Sequence, residues 1–416
     1  MGTIKELSSW LDSIFRQQLS VESFKSKVVR LENIGKTTKS CIRGYQQKGK
    51  LGWYNHTIHI LFHIWFVIVV ARAVRLIAVT DPEETFYLGD FFSEAKGKTF
   101  LHSIIIVYYI LFFCSRIGAH ISEVRKPMLM LKFYEKIKNE GFESIRKQLT
   151  KAKVKSFQIL FYIALQFYFI GIPIVSLALL ALCSTFALQN SQVTSSLENF
   201  SWFSFWVLII CIPLGINVYT LFWYYTVYIS AITYCSMSLS CIDDLGDKIQ
   251  SDVSKHRDLI KDYLRQQNKI LNLMRSVNSD IGPVVWVGYL ISTFLANFTL
   301  FLGIFIESGS SAMRFICLGL ATTAYSNLTL LHFAGTAAHD KLMDIREKNF
   351  SIQAQGVKII PPAIAVWINS TQERIENGEI GFSVTHIFIM RQSSFLFFVL
   401  ENSGILMMFV ANFKKS

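Results

Sequence analysis

The sequence predicts an all-α membrane protein with seven transmembrane helices, a cytoplasmic N-terminus and a helical cytoplasmic anchor layer. Three observations carry this. The 416 residues are 52% hydrophobic and 14% aromatic, with 35 Phe, while only 17% are charged; soluble domains average about 25% charged. Seven stretches reach the roughly 20 apolar residues that a helix needs to cross the hydrocarbon core. The loops between them differ in charge sign, and short basic loops stay cytoplasmic.

Residues 1–53 are polar and charged, with no apolar core long enough for a signal peptide, and read as a cytoplasmic N-terminal segment. The first span, Tyr54–Val79, would then serve as the insertion signal. It is followed by Phe100–Ser122, Gln158–Phe186, Phe203–Cys235, Val284–Ile306 and Arg314–Ala338, so residues 54–338 form the first six helices. The fourth stretch is too long for lipid alone, so it tilts or continues into water as helix. Between Leu245 and Ile281, Ile249, Val253, Ile260, Leu264, Leu271 and Met274 recur at helical spacing among seven bases and seven acids of the 236–283 loop. That loop predicts a cytoplasmic anchor helix. Residues 339–386, with six acids and five bases, join the same layer, broken at Pro361 and Pro362. Residues 387–413 form the last span.

The charge count sets the orientation. Residues 1–52 hold 10 Lys+Arg against 4 acids, and residues 123–155 repeat that ratio. Residues 80–99 hold 2 bases and 5 acids, and residues 188–202 one acid and no base. The N-terminus is therefore expected inside, the reverse of a G-protein-coupled receptor. Of six N-x-[ST] sequons only Asn199 falls in an expected outside loop, and it is the one predicted glycan acceptor. The +12 net charge is thus read as topology, and no nucleic-acid partner is expected.

Catalytic signatures are few. Seven cysteines, odd in number and mostly inside apolar spans, argue against disulfide or zinc spacing. No nucleophile elbow, P-loop, dinucleotide fingerprint or HExxH is present, so no enzyme activity, cofactor or metal is expected. His56, His59 and His63 share a helix face, as a metal-binding box would, but the other six histidines are scattered singly. A membrane metalloenzyme built on them is the last of the readings, behind a G-protein-coupled chemoreceptor.

The expected outside loops are about 20 residues or fewer, so a ligand has to bind among the helices. Small-molecule pockets are apolar and aromatic with a few polar anchors. Tyr108, Tyr109, Trp206, Asn217, Asn297 and Tyr325 supply such groups in the outer halves of spans two to six. Pro173 and Pro213, with Gly171 and Gly215 beside them, can kink helices and open space there.

The last span is interrupted by Glu401 and Asn402. A charge in hydrocarbon costs about 2.5–3.5 kcal/mol on insertion scales, so Glu401 is expected to face protein or water. Ser394, Phe397/Phe398, Glu401, Ile405 and Met408 recur at i, i+3/4, i+7 and would share a stripe. One helix cannot enclose a pore, but symmetric copies can, and a ring of carboxylates would favour cations.

Here the chain resembles the insect-type seven-transmembrane chemoreceptors, the gustatory and odorant receptor superfamily of arthropods. Their last helix carries Thr-Tyr, five apolar residues and Gln-Phe. This chain has Ser394-Phe395, the five residues LFFVL, then Glu401-Asn402. Upstream, His332–Ile345 and Gly381–Phe395 look like that family's sixth-helix end and seventh-helix approach. The resemblance implies a tetrameric ligand-gated, non-selective cation channel in the plasma membrane, a homotetramer or a heterotetramer with a related subunit. Its partners would be a small-molecule tastant or odorant, permeating cations and membrane lipid. Glu401 falls on the family's Gln, Asn402 on its Phe gate, and Phe398 on the pore position one turn earlier. Glu for Gln and Asn for Phe are departures, and they point to a divergent, gustatory-like member.

Overall fold

A computed structural model describes residues 21–46, 52–90, 92, 98–125, 128–141, 149–189, 191–305, 311–376, 382–384, 388–390 and 392–413. Residues 1–20 of the expected N-terminal segment lie outside this set. Helix α1 (Val21–Thr37) leads to α2 (Trp53–Ala78), the short α3 (Pro82–Tyr87), α4 (Lys98–Arg125) and α5 (Leu131–Glu140). Helices α6 (Lys151–Gln166) and α7 (Ile172–Gln189) follow, joined by a π turn at Phe167–Gly171, and then α8 (Ser191–Thr194). The three longest are α9 (Leu197–Ser251), α10 (Arg257–Phe305) and α11 (Ser311–Gln355). The chain ends in α12 (Pro362–Glu376), a hairpin of β1 (Ser383–Val384) and β2 (Phe388–Ile389), and α13 (Gln392–Phe413).

Among the described residues, six helical stretches are long and apolar enough to cross a membrane: α2, α4, α6–α7, α9, α10 and α13. The remaining expected crossing, 314–338, is the first half of α11. Its middle, Thr322-Thr323-Ala324-Tyr325-Ser326-Asn327, is polar, and α9 and α10 pack along it. The last crossing starts at Gln392, not Ile387, because Phe388 and Ile389 pair with Val384 and Ser383 in the hairpin.

The expected anchor residues Ile249, Val253, Ile260, Leu264, Leu271 and Met274 are buried, but on no separate helix. Val253 sits in a tight turn at 252–256, and the others belong to the far ends of α9 and α10 that this turn joins. Asp252 Oδ1 accepts from Ser254 Oγ (2.6 Å) and Lys255 N (3.1 Å) there, which ends the helix. At 1.5 Å per residue the 55 residues of α9 reach about 80 Å, far beyond the roughly 30 Å hydrocarbon core. Helix α11 runs on beside them, and the three are pinned by Tyr263 Oη to Asn349 Oδ1 (2.8 Å), Gln250 Nε2 to Ser351 Oγ (2.8 Å) and Lys348 to Asp243 and Asp247. Pro362, in place of ending a helix, begins α12, where its missing N–H costs nothing.

Helix α1 lies against α9. Trp223 Nε1 donates to Leu31 O (3.0 Å), and Gly35 admits the indole, since a Cβ there would stand 2.7 Å from Trp223 Nε1. The π turn between α6 and α7 sits just before Pro173, whose absent N–H removes a helical hydrogen bond and lets the turn widen.

Candidate ligand cavity and pore face

Near the end of the bundle that carries α3, helices α4, α9, α10 and α11 enclose a cavity of about 160 Å³. An apolar cavity of about 150 Å³ holds one benzene ring. Phe92, Phe112, Leu214 and Leu302 give it an apolar wall, and Tyr108 and Tyr109 lie on it. Thr299 Oγ1 donates to Leu295 O (2.7 Å) and Thr323 Oγ1 to Gly319 O (2.8 Å), so both protons serve their own helices. Tyr108 Oη, by contrast, is buried with no protein partner. It is a polar anchor on this wall.

Trp206, Asn217, Asn297 and Tyr325 are not on that wall. Trp206 belongs to the cap over the bundle end: its Nε1 donates to Tyr87 O (3.0 Å) and its ring receives the Arg72 guanidinium at 4.8 Å. Arg72 also donates to Leu88 O (2.5 Å) and to Gly89 O. Gly89 has φ +66°, and a Cβ there would meet Trp206 at 2.5 Å, so only glycine fits the loop. Asp90 then accepts from His102 (2.8 Å) and Phe92 N (2.9 Å) and pairs with Lys98 (2.8 Å). Burial pushes its carboxyl up, but His102, Lys98 and the Phe92 N–H outweigh burial and hold it below the ordinary 3.8. These contacts fix Phe92 on the cavity wall. Asn217 spends its Nδ2 on Pro213 O (2.7 Å), one turn back on its own helix, and Ile209 O, left without an N–H by Pro213, accepts from Trp65 Nε1 (3.0 Å).

Asn297 and Tyr325 belong to a buried polar ladder. Tyr325 Oη donates to Asn297 Oδ1 (2.9 Å), Asn297 Nδ2 donates to Asn402 Oδ1 (2.6 Å) and to Thr293 O (2.9 Å), and Asn402 Nδ2 donates to Phe398 O (2.6 Å). Helices α10, α11 and α13 are thus tied together one residue from Phe298 and Ala324 on the cavity wall. The sequence pattern locates these polar groups along their spans but does not reveal which helix each side chain meets.

The stripe expected on the last helix divides. Phe398 (4% exposed) and Asn402 (5%) face the bundle, Phe398 beside Tyr289, His332 and Phe395, and Ile405 is half-buried on the same flank. Phe397 (63% exposed), Glu401, Gly404 and Met408 lie on the opposite flank, with Ser394 half-exposed. Neighbouring helical residues are 100° apart, so Phe397 and Phe398, or Glu401 and Asn402, cannot share one face. In the single chain Phe398 and Asn402 thus face the bundle, and Glu401 faces away from it.

His56, His59, His63 and His120 gather where α2 meets α4: His56 Nδ1 is 3.2 Å from His120 Nε2, and the His59 and His120 rings stack at 4.3 Å. Among the described residues no three His, Cys, Asp or Glu side chains are placed to hold a metal ion. Asn199 lies in the first turn of α9, half-buried, with Nδ2 donating to Gln192 O (3.1 Å) and Ser195 Oγ (3.0 Å).

No protein-family model and no curated protein matches the chain. Solved structures do. The insect olfactory receptor OR5 from Machilis hrabei in complex with eugenol superimposes with a TM-score of 0.58 at 10% identity, over 95% of this chain and 99% of that one. A structure described simply as the insect olfactory receptor OR5 from Machilis hrabei gives 0.56 at 12% identity, over 86% and 88%. The likeness establishes that this chain has the helical membrane fold of those receptors over most of its length.

Proposed function

We propose that the chain is one subunit of a gustatory-type chemoreceptor, a ligand-gated non-selective cation channel of the plasma membrane. The observation that carries the reading is the route from cavity to last helix: an apolar cavity walled by Phe298 and Ala324, their neighbours Asn297 and Tyr325, and the bond from Asn297 to Asn402 on α13. The shared fold with the olfactory receptor structures supports it. The ligand is a small neutral molecule of about one ring, with a group that can hydrogen-bond Tyr108 Oη. Filling the cavity presses on α10 and α11, and the ladder passes that displacement to α13.

In this reading four copies place α13 around a central axis, as a homotetramer or with a related subunit. Glu401 then rings the axis with carboxylates, which attract cations and repel anions. Phe397, Gly404 and Met408 flank Glu401 on the exposed face, while Phe398 and Asn402 set the rotation of α13 from behind. The cap end is extracellular, and Asn199 is the glycan acceptor.

Patch recording tests this. Glu401→Gln should reduce the preference for cations over anions, and Glu401→Lys should abolish or invert it, read as a shift in reversal potential under a salt gradient. Unchanged selectivity in both variants removes Glu401 from the pore.

A further inference from the structure

A second, larger cavity of about 670 Å³ lies between α6, the π turn, α9 and α11, on the other side of Phe222 and Thr323, which line both cavities. Its rim residues Leu160, Ile163, Leu330 and Phe333 are exposed on the membrane-facing surface of the bundle, so the cavity opens toward lipid and not toward water. No charged side chain lines it.

Its threonine hydroxyls are already committed, while Tyr225 Oη on the same wall is buried with no hydrogen-bond partner. Thr226 Oγ1 donates to Phe222 O (2.9 Å), Thr233 Oγ1 to Ile229 O (2.9 Å) and Thr322 Oγ1 to Leu318 O (2.8 Å). Asn327 differs. Its side chain is on the cavity wall and the residue is 8% exposed, yet Nδ2 is buried with no hydrogen-bond partner. An amide N–H left unmade in an apolar site is costly, and a ligand acceptor would satisfy it.

Depth narrows the ligand. Asn327 follows Arg314 by 13 residues and precedes Ala338 by 11, so it stands near mid-membrane. A phospholipid headgroup lies about 15 Å away, at the edge of the roughly 30 Å core. The acceptor must belong to a molecule whose only polar group can enter hydrocarbon. We propose that this cavity binds a neutral lipophile carrying a single carbonyl or hydroxyl group, taken up from the bilayer and held by Asn327 Nδ2. The site requires only the membrane fold and stands apart from the channel reading.

The test uses the purified full-length protein in lipid nanodiscs and two photoreactive probes. One is a long-chain methyl ketone with a diazirine near its tail, and the other the matching alkane. The ketone should mark peptides spanning residues 160–167 and 322–337. Asn327→Leu should cut ketone labelling about three- to tenfold, the worth of one hydrogen bond, and leave alkane labelling unchanged. Ala164→Phe, which fills the cavity from the α6 wall, should lower both. On the wild-type protein, unlabelled ketone should also displace the ketone probe better than unlabelled alkane does, a readout that does not depend on any variant folding. Equal displacement by the two, undiminished ketone labelling in folded Asn327→Leu, or adducts confined to the Tyr108 cavity would overturn the proposal.

Discussion

Asn297 receives a hydrogen bond from Tyr325 and gives one to Asn402, all within hydrocarbon depth. Replacing it with leucine leaves the Asn402 carbonyl and the Tyr325 hydroxyl without that partner, at a cost of about 1–3 kcal/mol. Removing two partners together can be nearly neutral, so Asn297→Leu with Asn402→Leu should cost clearly less than the sum of the single changes. Thermal unfolding of the detergent-solubilised protein checks this, and strict additivity would mean that the two amides act independently. Gly89→Ala should also lower the melting temperature, because it combines a left-handed φ with a clash against Trp206. At this scale the sequence was half legible. Hydropathy located the polar residues of the spans, and Tyr108 and Tyr109 do line the cavity. Which way Asn297, Tyr325 and Asn402 point is decided by helix rotation, and a single chain's pattern does not contain the neighbours that set it.

Helix α1 is held at the base of the bundle by Glu32, which pairs with Lys138 on α5 (2.6 Å) and Lys36 (3.2 Å) and accepts from Tyr45 N (3.0 Å). Burial pushes the Glu32 carboxyl up, but Lys138, the Tyr45 N–H and Lys36 outweigh it and hold the group below its ordinary 4.5. A carboxyl lowered in the folded state adds stability above its unfolded value, and that stability is lost as pH falls through the folded value. The melting temperature should therefore drop as pH falls below about 4.5, and wild type and Glu32→Gln should converge there. Parallel curves at every pH would show that the clamp does not titrate. Elements were the most legible level, because about 20 apolar residues in a row have few other uses. Their far ends were less so. The periodic stretch 245–281 reads equally well as one helix or as two helix ends, and the Asp252 turn that separates them contains neither Gly nor Pro.

Helix α13 packs on α10 and, more lightly, on α11, and on no other crossing to a comparable extent. Its remaining face carries Phe397, Leu400, Gly404 and Met407 beside Glu401, all exposed in the single chain. A carboxylate at that depth facing lipid would cost about 2.5–3.5 kcal/mol on insertion scales, and copies arranged around an axis would relieve it by giving Glu401 water. The arrangement can be tested by geometry alone. Gly404 is open, with nothing within 4 Å of an added Cβ, and Val67 is exposed on a different crossing, α2. Under copper-phenanthroline oxidation, Gly404→Cys should give cross-linked subunit pairs on a denaturing gel well above the background from the native cysteines, and Val67→Cys should not. Equal cross-linking at the two positions would place α13 away from any shared axis, and Glu401 would then have to be accounted for within one subunit.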